Sequence, residues 1–357
     1  MSLSLMNQNT ELVLKMASSS SPLSLPEKDE DKHEKRRGEI LYDIDFYVLP
    51  EGCIAAVVSF TGPRDACRFS SISKVFKSAA DSDAVWEHFL PSDYRDILAR
   101  SSDGSALSLL DSLSKKDLFL RLADTPLLID DGDMSFSLEK STGKKCFTIA
   151  ARNLAITWGD TPRYWAWNSV PESSRFSEVA ELVTVCWLEI IGKLKTSLLS
   201  PNTDYAAYLV FKMTSEAYGF YSPAEVVLRT PGGKVETGNV YLDSRDKYQI
   251  VPRRMFNRSR APPTRAPTPM PLVEREREDD AKLPKQRGDG WLEIKIGEFS
   301  TLKDEEGEVE MSVLEVKAGN WKGGMRVEGI EIRPKKDNEP KMDNKEPNMD
   351  KEGNELK

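Results

Sequence analysis

Apolar positions recur along two stretches of the chain, and they recur at different periods. Between Tyr47 and Leu128 the spacing is helical: Leu49, Ile54, Val57 and Val58 form one stripe, Val75, Phe76, Ala79 and Ala80 a second, and Val85, Trp86, Phe89 and Leu90 a third. Three short helices are predicted there. The punctuation agrees: Pro50 suits a first helical turn, Thr61-Gly62-Pro63 ends one helix and opens the next with Asp65 near its positive end, Asp81 or Ser82 caps the third, and Pro91 closes it. From Cys146 to Pro334 the pattern is β-rich. Phe147-Thr148-Ile149, Ala180 to Ile191, Tyr205 to Met213, Glu225 to Leu228, Trp291 to Ile296, Glu308 to Val316 and Met325 to Ile332 give about seven or eight strands without long helices between them. That order points to an antiparallel sandwich or jelly roll. The expected fold class is therefore α+β and multidomain: a small three-helix block over residues 43–92, a helical linker over 93–145, and an all-β antiparallel sandwich over 146–334.

Three segments lack either period. Residues 1–40 combine the Ser18–Ser21 run with Pro22, Pro26 and the charge block Glu27–Glu39, a composition that buries too little apolar surface to offset its ordering entropy. Residues 335–357 hold 13 charged residues out of 23 and read as a solvated tail. Within the β region, residues 244–288 carry Pro262, Pro263, Pro267, Pro269 and Pro271 ahead of the block Glu274–Asp280, so they read as an extended surface insertion. Its basic half, with Arg253, Arg254, Arg258, Arg260 and Arg265, is an anion-binding candidate whose simpler reading is a solvated loop. These segments account for the polar average of a 357-residue chain that is 39% hydrophobic and 30% charged, with a mean hydropathy of −0.49.

Charge and reactive residues narrow the chemistry. A net charge of −8 argues against a general nucleic-acid binder, which needs a basic face to neutralise phosphates. Cys53, Cys67, Cys146 and Cys186 are widely spaced and the histidines are His33 and His88, so the closely spaced ligand pairs of a tetrahedral zinc site are missing. No metal and no cofactor are expected. Apolar runs fall short of the roughly 18–20 residues that span a bilayer, and Met1–Met16 lacks the cleavage pattern of a secretory signal. The expectation is a soluble protein of the cytoplasm and nucleus that does not engage membranes.

Leu49-Pro50-Glu51, an apolar helix ending at Phe60, Pro63-Arg64-Asp65 leading to Cys67, Ser71-Ile72-Ser73-Lys74 and Trp86 together resemble an F-box, covering that motif without a gap. So small a helical block makes a marginal core and gains from a partner that covers its apolar side chains. The resemblance implies that this partner is a Skp-type adaptor and, through it, a cullin. Leu49, Pro50, Ile54, Val57 and Val58 are then the adaptor face, with Phe69, Val75, Phe76 and Trp86 shared between core and interface.

The second block also has a likeness. Ile149 to Trp158, Tyr164-Trp165-Ala166-Trp167, Val179-Ala180-Glu181-Leu182 and Trp187-Leu188-Glu189-Ile190, followed by Asp289 to Ile294, Gly297-Glu298-Phe299, Gly307 to Met311 and Gly329 to Pro334, resemble the plant phloem lectins (phloem protein two) and the Nictaba-like lectins. A pyranose packs its C–H face on an aromatic plane while carboxylates at the rim accept from its hydroxyls. By resemblance the carbohydrate-binding residues are Trp158, Trp165, Glu308 and Glu315, whereas Trp167, Trp187, Trp291 and Trp321 are expected in the core. Glycoside hydrolysis would require an acid and a nucleophile or base at a set separation, and no such pair is marked.

The two likenesses imply a non-catalytic receptor subunit of a ubiquitin ligase. Its helices would hold the adaptor and its sandwich a protein target, possibly glycosylated, whose glycan carries N-acetylglucosamine. The alternative is a nucleocytoplasmic lectin for N-acetylglucosamine oligomers or N-glycans with a vestigial F-box. A third possibility is a sandwich that recognises a protein surface alone.

Overall fold

The computed structural model describes residues 49–101, 105–243, 248–249, 273–274, 282–303 and 306–335. The N-terminal segment 1–40, most of the 244–288 insertion and the tail beyond 335 lie outside the described residues. No helix among the described residues is long and apolar enough to cross a membrane.

Four helices occupy the first block: α1 (Glu51–Ser59), α2 (Pro63–Phe69), α3 (Lys74–Asp81) and α4 (Asp83–Phe89). The middle predicted helix is thus two. The chain leaves helical geometry at Ser70–Ser73, and Ser73 restarts it, its Oγ accepting from the Phe76 N–H at 3.3 Å. Ile54 and Val58 face inward from α1 to meet Phe76, Ala79 and Trp86 of α3 and α4 in one core. Trp86 is buried, with its indole N–H donated to the Ala80 carbonyl at 2.7 Å.

Residues 93–145, expected to be a helical linker, are helical only in part. After α5 (Tyr94–Ala99), α6 (Ser108–Ser112) and α7 (Lys115–Asp124), the chain forms β1 (Leu127–Ile129) and β2 (Met134–Leu138). Asp130, Asp131 and Gly132 all take positive φ to make the turn between them. The alternation in Met134-Ser135-Phe136-Ser137-Leu138 is a strand signal that the neighbouring helical pattern masks.

The sandwich continues with β3 (Lys145–Ala150), β4 (Ala155–Ile156), β5 (Trp165–Asn168), β6 (Val179–Leu182), β7 (Leu188–Lys195) and β8 (Thr203–Tyr218). β9 (Ala224–Arg229) and β10 (Val235–Val240) follow, then the short pair β11 (Tyr248–Gln249) and β12 (Val273–Glu274). β13 (Lys285–Gln286), β14 (Leu292–Thr301), β15 (Glu308–Glu315) and β16 (Gly323–Pro334) complete it. The larger sheet runs β1-β2-β3-β16-β8-β14-β13, with β6 pairing both β16 and β5; the smaller runs β10-β9-β15-β7-β4. Among the described residues every pairing of these strands is antiparallel. Alternation selects the inner face: Ile190 and Leu194 of β7 stand opposite Val313 and Val309 of β15, and with Leu188 and Met311 they join the same core as the larger sheet's Leu209, Phe211 and Ile330. The run read as one strand from Ala180 to Ile191 is two, β6 and β7, in different sheets, and the crossing segment 183–187 lies at one end of the sandwich.

Helices and sandwich share a continuous core. Phe119 of α7 lies 5.2 Å from the Trp86 ring, and α7 packs on β2. Ion pairs Lys145–Asp93 (2.9 Å) and Lys140–Asp124 (2.7 Å) span the junction, and Arg100 donates to both Asp130 oxygens at 2.9 and 2.5 Å.

Candidate functional site

Exposed large apolar side chains are costly to leave in water and mark interaction surfaces when they cluster. Most of those among the described residues fall in two places: Val57, Phe60 and Val75 on the helical block, and Trp158, Val183, Trp187, Tyr218 and Trp321 on the sandwich.

On the helical block, Phe60 at the end of α1 is 70% exposed and meets the His88 ring edge-on at 6.1 Å. Val57 and Val75 are exposed beside it on helices that pack together, Pro50 is exposed and Leu49 half-buried. Ile54 and Val58 are buried. That corrects their placement on the adaptor face, because the inner stripe of α1 is taken up by α3 and α4.

The sandwich cluster is assembled by pairing. β4 lies on β7 with Ala155 opposite Ile191, so Thr157 reaches the Glu189 carbonyl at 3.1 Å. The loop after β6 is held to the loop before β16 by the Val185–Lys322 bridge. The Thr184 hydroxyl meets the Tyr218 hydroxyl at 2.9 Å, and Asn320 donates to Ser222 at 3.4 Å. Segments 157–164, 183–187, 219–222 and 316–322 therefore gather at one end.

Trp158 is 43% exposed and sits at φ +60, a left-handed conformation that costs a non-glycine residue about 1–2 kcal/mol. Its neighbours hold it there. Trp165 donates its indole N–H to the Thr157 carbonyl at 3.2 Å, Trp167 donates to the Gly159 carbonyl at 3.0 Å, and Tyr164 lies against the Trp158 ring at 5.1 Å. Trp165 itself is only 2% exposed. Of the aromatics nominated as sugar contacts, one is displayed and the other is a buried brace for the turn that displays it.

The nominated carboxylates also separate. Glu315 points into the sandwich at the inward phase of β15 and forms a buried ion pair with Lys322, whose Nζ also donates to the Asn320 carbonyl at 2.7 Å. Burial raises the Glu315 carboxyl pKa above its ordinary value, partly offset by Lys322. The pair anchors the loop that carries Trp321. Glu308 is exposed at the other end of β15, opposite Lys195, roughly 23 Å from Glu315 along the strand.

A carboxylate that sequence reading did not single out stands among the aromatics. Glu189 Oε2 accepts from the Thr157 hydroxyl at 2.6 Å and from the Trp187 indole N–H at 3.3 Å. Trp187 and Trp321, expected in the core, are 44% and 42% exposed, because both precede their strands and lie in the end loops. Trp291 is buried as expected, its indole N–H donated to the Ser173 carbonyl at 2.6 Å, and Trp167 is half-buried under Arg152, whose guanidinium lies 3.8 Å from its ring.

Fold and site define an α+β protein in which an apolar helical block carries a β-sandwich with an exposed aromatic end. The phloem protein 2 family profile matches residues 144–334. Among Arabidopsis thaliana relatives, the F-box protein PP2-B1 is 40% identical over 82% of this chain and 91% of its own length, and the F-box protein PP2-B10 is 42% identical over 82% and 94%. The chain belongs to the phloem protein 2 family, in the group whose members are named F-box proteins. Among solved structures, a carbohydrate-binding module in complex with β-1,4-galactotriose is 10% identical with a TM-score of 0.24, covering 51% of this chain and 87% of that one. A family 16 carbohydrate-binding module is 13% identical with a TM-score of 0.24, covering 48% and 89%. Likenesses that slight have no bearing on function.

Proposed function

We propose that this chain is the substrate receptor of a Skp–cullin–F-box ubiquitin ligase. Leu49, Pro50, Val57, Phe60 and Val75 dock the adaptor, with Ile54 and Val58 supporting that face from beneath. The aromatic end around Trp158 holds a glycosylated target, with Trp165 and Glu315 as the braces that position it. Glu308, at the far end of the sandwich, has no part in that site. Chemistry takes place on a separate ubiquitin-conjugating enzyme, and this chain supplies proximity.

The observation that supports the reading is that most of the exposed large apolar side chains among the described residues cluster in two surfaces on one connected core. A vestigial helical block would have no reason to keep Phe60, Val57 and Val75 in water. The test is co-purification of the full chain with a Skp-type adaptor. Phe60→Asp is expected to abolish capture while leaving the melting temperature close to wild type, since Phe60 contributes little to the core. A wild-type chain that ignores the adaptor sinks the proposal.

A further inference from the structure

We infer that Arg152 is a positioning residue for the aromatic end: ion-paired to Glu178, it clamps the Trp167 ring from outside, and Trp167 in turn holds the turn that displays Trp158. The inference rests on the glycan reading above for what that turn binds.

The turn has two braces, and they are fixed in different ways. Trp165 and Trp167 lie on β5 with one residue between them, and their indole N–H groups go to the Thr157 and Gly159 carbonyls, on either side of Trp158. Trp165 is buried in the core, where close packing sets its rotamer. Trp167 is only half-buried at the core's edge. Packing fixes that second ring less completely, yet its hydrogen bond is the one that holds the far side of a turn kept at positive φ.

Arg152 supplies what packing does not. It stands in the short turn Ala151–Asn153 after β3, which packs on β6 and β16. Its guanidinium carbon lies 3.8 Å from the centre of the Trp167 ring, the shortest such cation-to-ring distance among the described residues. Its Nε donates to Glu178 Oε2 at 2.8 Å, and Glu178 immediately precedes β6, whose Ala180 stands opposite Trp167. Three segments thus close on one ring: the carboxylate orients the guanidinium, the guanidinium covers the indole, and the indole holds the Gly159 carbonyl. The side chains of the ion pair are 42% and 38% exposed. A pair so exposed adds little to global stability, whereas a cation stacked on an indole fixes the orientation of the ring.

The experiment compares Arg152→Met, which keeps an unbranched stem over the ring and removes the charge, with Arg152→Lys, which keeps a cation, and with Glu178→Gln. Binding of the β-1,4-linked trimer of N-acetylglucosamine to the full chain is followed by tryptophan fluorescence. Exchange of the indole N–H groups is followed by NMR, with Trp167 assigned from Trp167→Phe. Arg152→Met should lower trimer affinity about fivefold and speed exchange of the Trp167 indole by a similar factor. The Trp86 indole, in the helical block, should exchange as in wild type, and the melting temperature should stay within about 2 °C. Arg152→Lys should recover most of the lost affinity. The probe is uncharged, so a wild-type affinity that falls about twofold between about 50 and about 500 mM sodium chloride, and does not fall in Glu178→Gln, traces to the ion pair. Wild-type affinity and wild-type Trp167 exchange in Arg152→Met overturn the positioning role and leave the glycan reading standing. A wild type that does not bind the trimer overturns the glycan reading instead, and the clamp is then decided by the Trp167 exchange rate in Arg152→Met.

Discussion

At the residue scale, the aromatic end shows side chains of one type divided between display and support. Trp165 and Trp167 spend their indole N–H groups on the Thr157 and Gly159 carbonyls, and the turn they brace puts Trp158 in water at positive φ. A strained, exposed residue held by its surroundings is the pattern of a functional position. The strain is also testable. Trp158→Gly places at φ +60 the residue that tolerates it, so its urea midpoint should correspond to about 1 kcal/mol more stability than Trp158→Ala, with glycan binding lost in both. An alanine variant as stable as the glycine variant would show that the turn stores no strain. Glu315 carries the other lesson of this scale. It follows Val309, Met311 and Val313 at even spacing, a parity that already marks it as inward-facing, whereas Glu308 has the outward parity. Glu189 had the same kind of signal, an outward position between inward Leu188 and Ile190, next to a tryptophan.

At the scale of elements, the outer face of the larger sheet is locked by charge. Glu293 of β14 pairs with Arg333 of β16, and Arg287 bridges Glu293 and Glu331. Burial raises the Glu293 carboxyl pKa, but the hydrogen bonds and charges of Arg333 and Arg287 outweigh it and leave the group below its ordinary value. Glu328 is the opposite case: buried and accepting from the Ser174 hydroxyl at 2.9 Å, it is raised by desolvation. A lowered carboxyl binds fewer protons folded than unfolded, so its stabilisation is present above the ordinary carboxylate range and lost as pH falls through the folded value. A raised carboxyl binds more, so stability falls as pH rises from the ordinary value through the folded one. Urea melts at about pH 4 and about pH 8 should therefore show Glu328→Gln more stable than wild type at the higher pH only, and Glu293→Gln less stable chiefly at the higher pH. Equal effects of Glu328→Gln at both values would refute the assignment.

At the scale of the molecule, the exposed apolar face of the helices and the aromatic end of the sandwich are carried by one core. The tip of the β2–β3 hairpin enters the helical block at Gly143, where φ is +71 and a Cβ would lie 2.6 Å from the Phe89 carbonyl oxygen and 3.2 Å from the Phe119 ring. Gly143→Ala should therefore cost at least about 2 kcal/mol, from overpacking and backbone strain together. Hydrogen exchange is the decisive readout. Protection should fall first in α4 and α7 while β8 and β16 keep theirs, and a uniform loss would mean that the hairpin tip is not the joint. Such a joint would hold adaptor and target at one separation, as the proposed receptor role requires.

The amino-acid order by itself determined which stretches are helical and which alternate, the inward or outward phase of each strand, and the two family likenesses. Those depend on periodicity and on short runs, both of which are local. It did not reveal β1 and β2, whose few residues follow a helical pattern, nor that Ala180 to Ile191 divides between two sheets. Which of the nominated side chains are displayed was decided by tertiary structure. Trp187 and Trp291 sit in the same four-residue motif, yet the first is 44% exposed and the second buried, because what lies over a ring depends on which distant segment the topology brings to it. Exposure is a property of neighbours far along the chain, and only the folded protein has them.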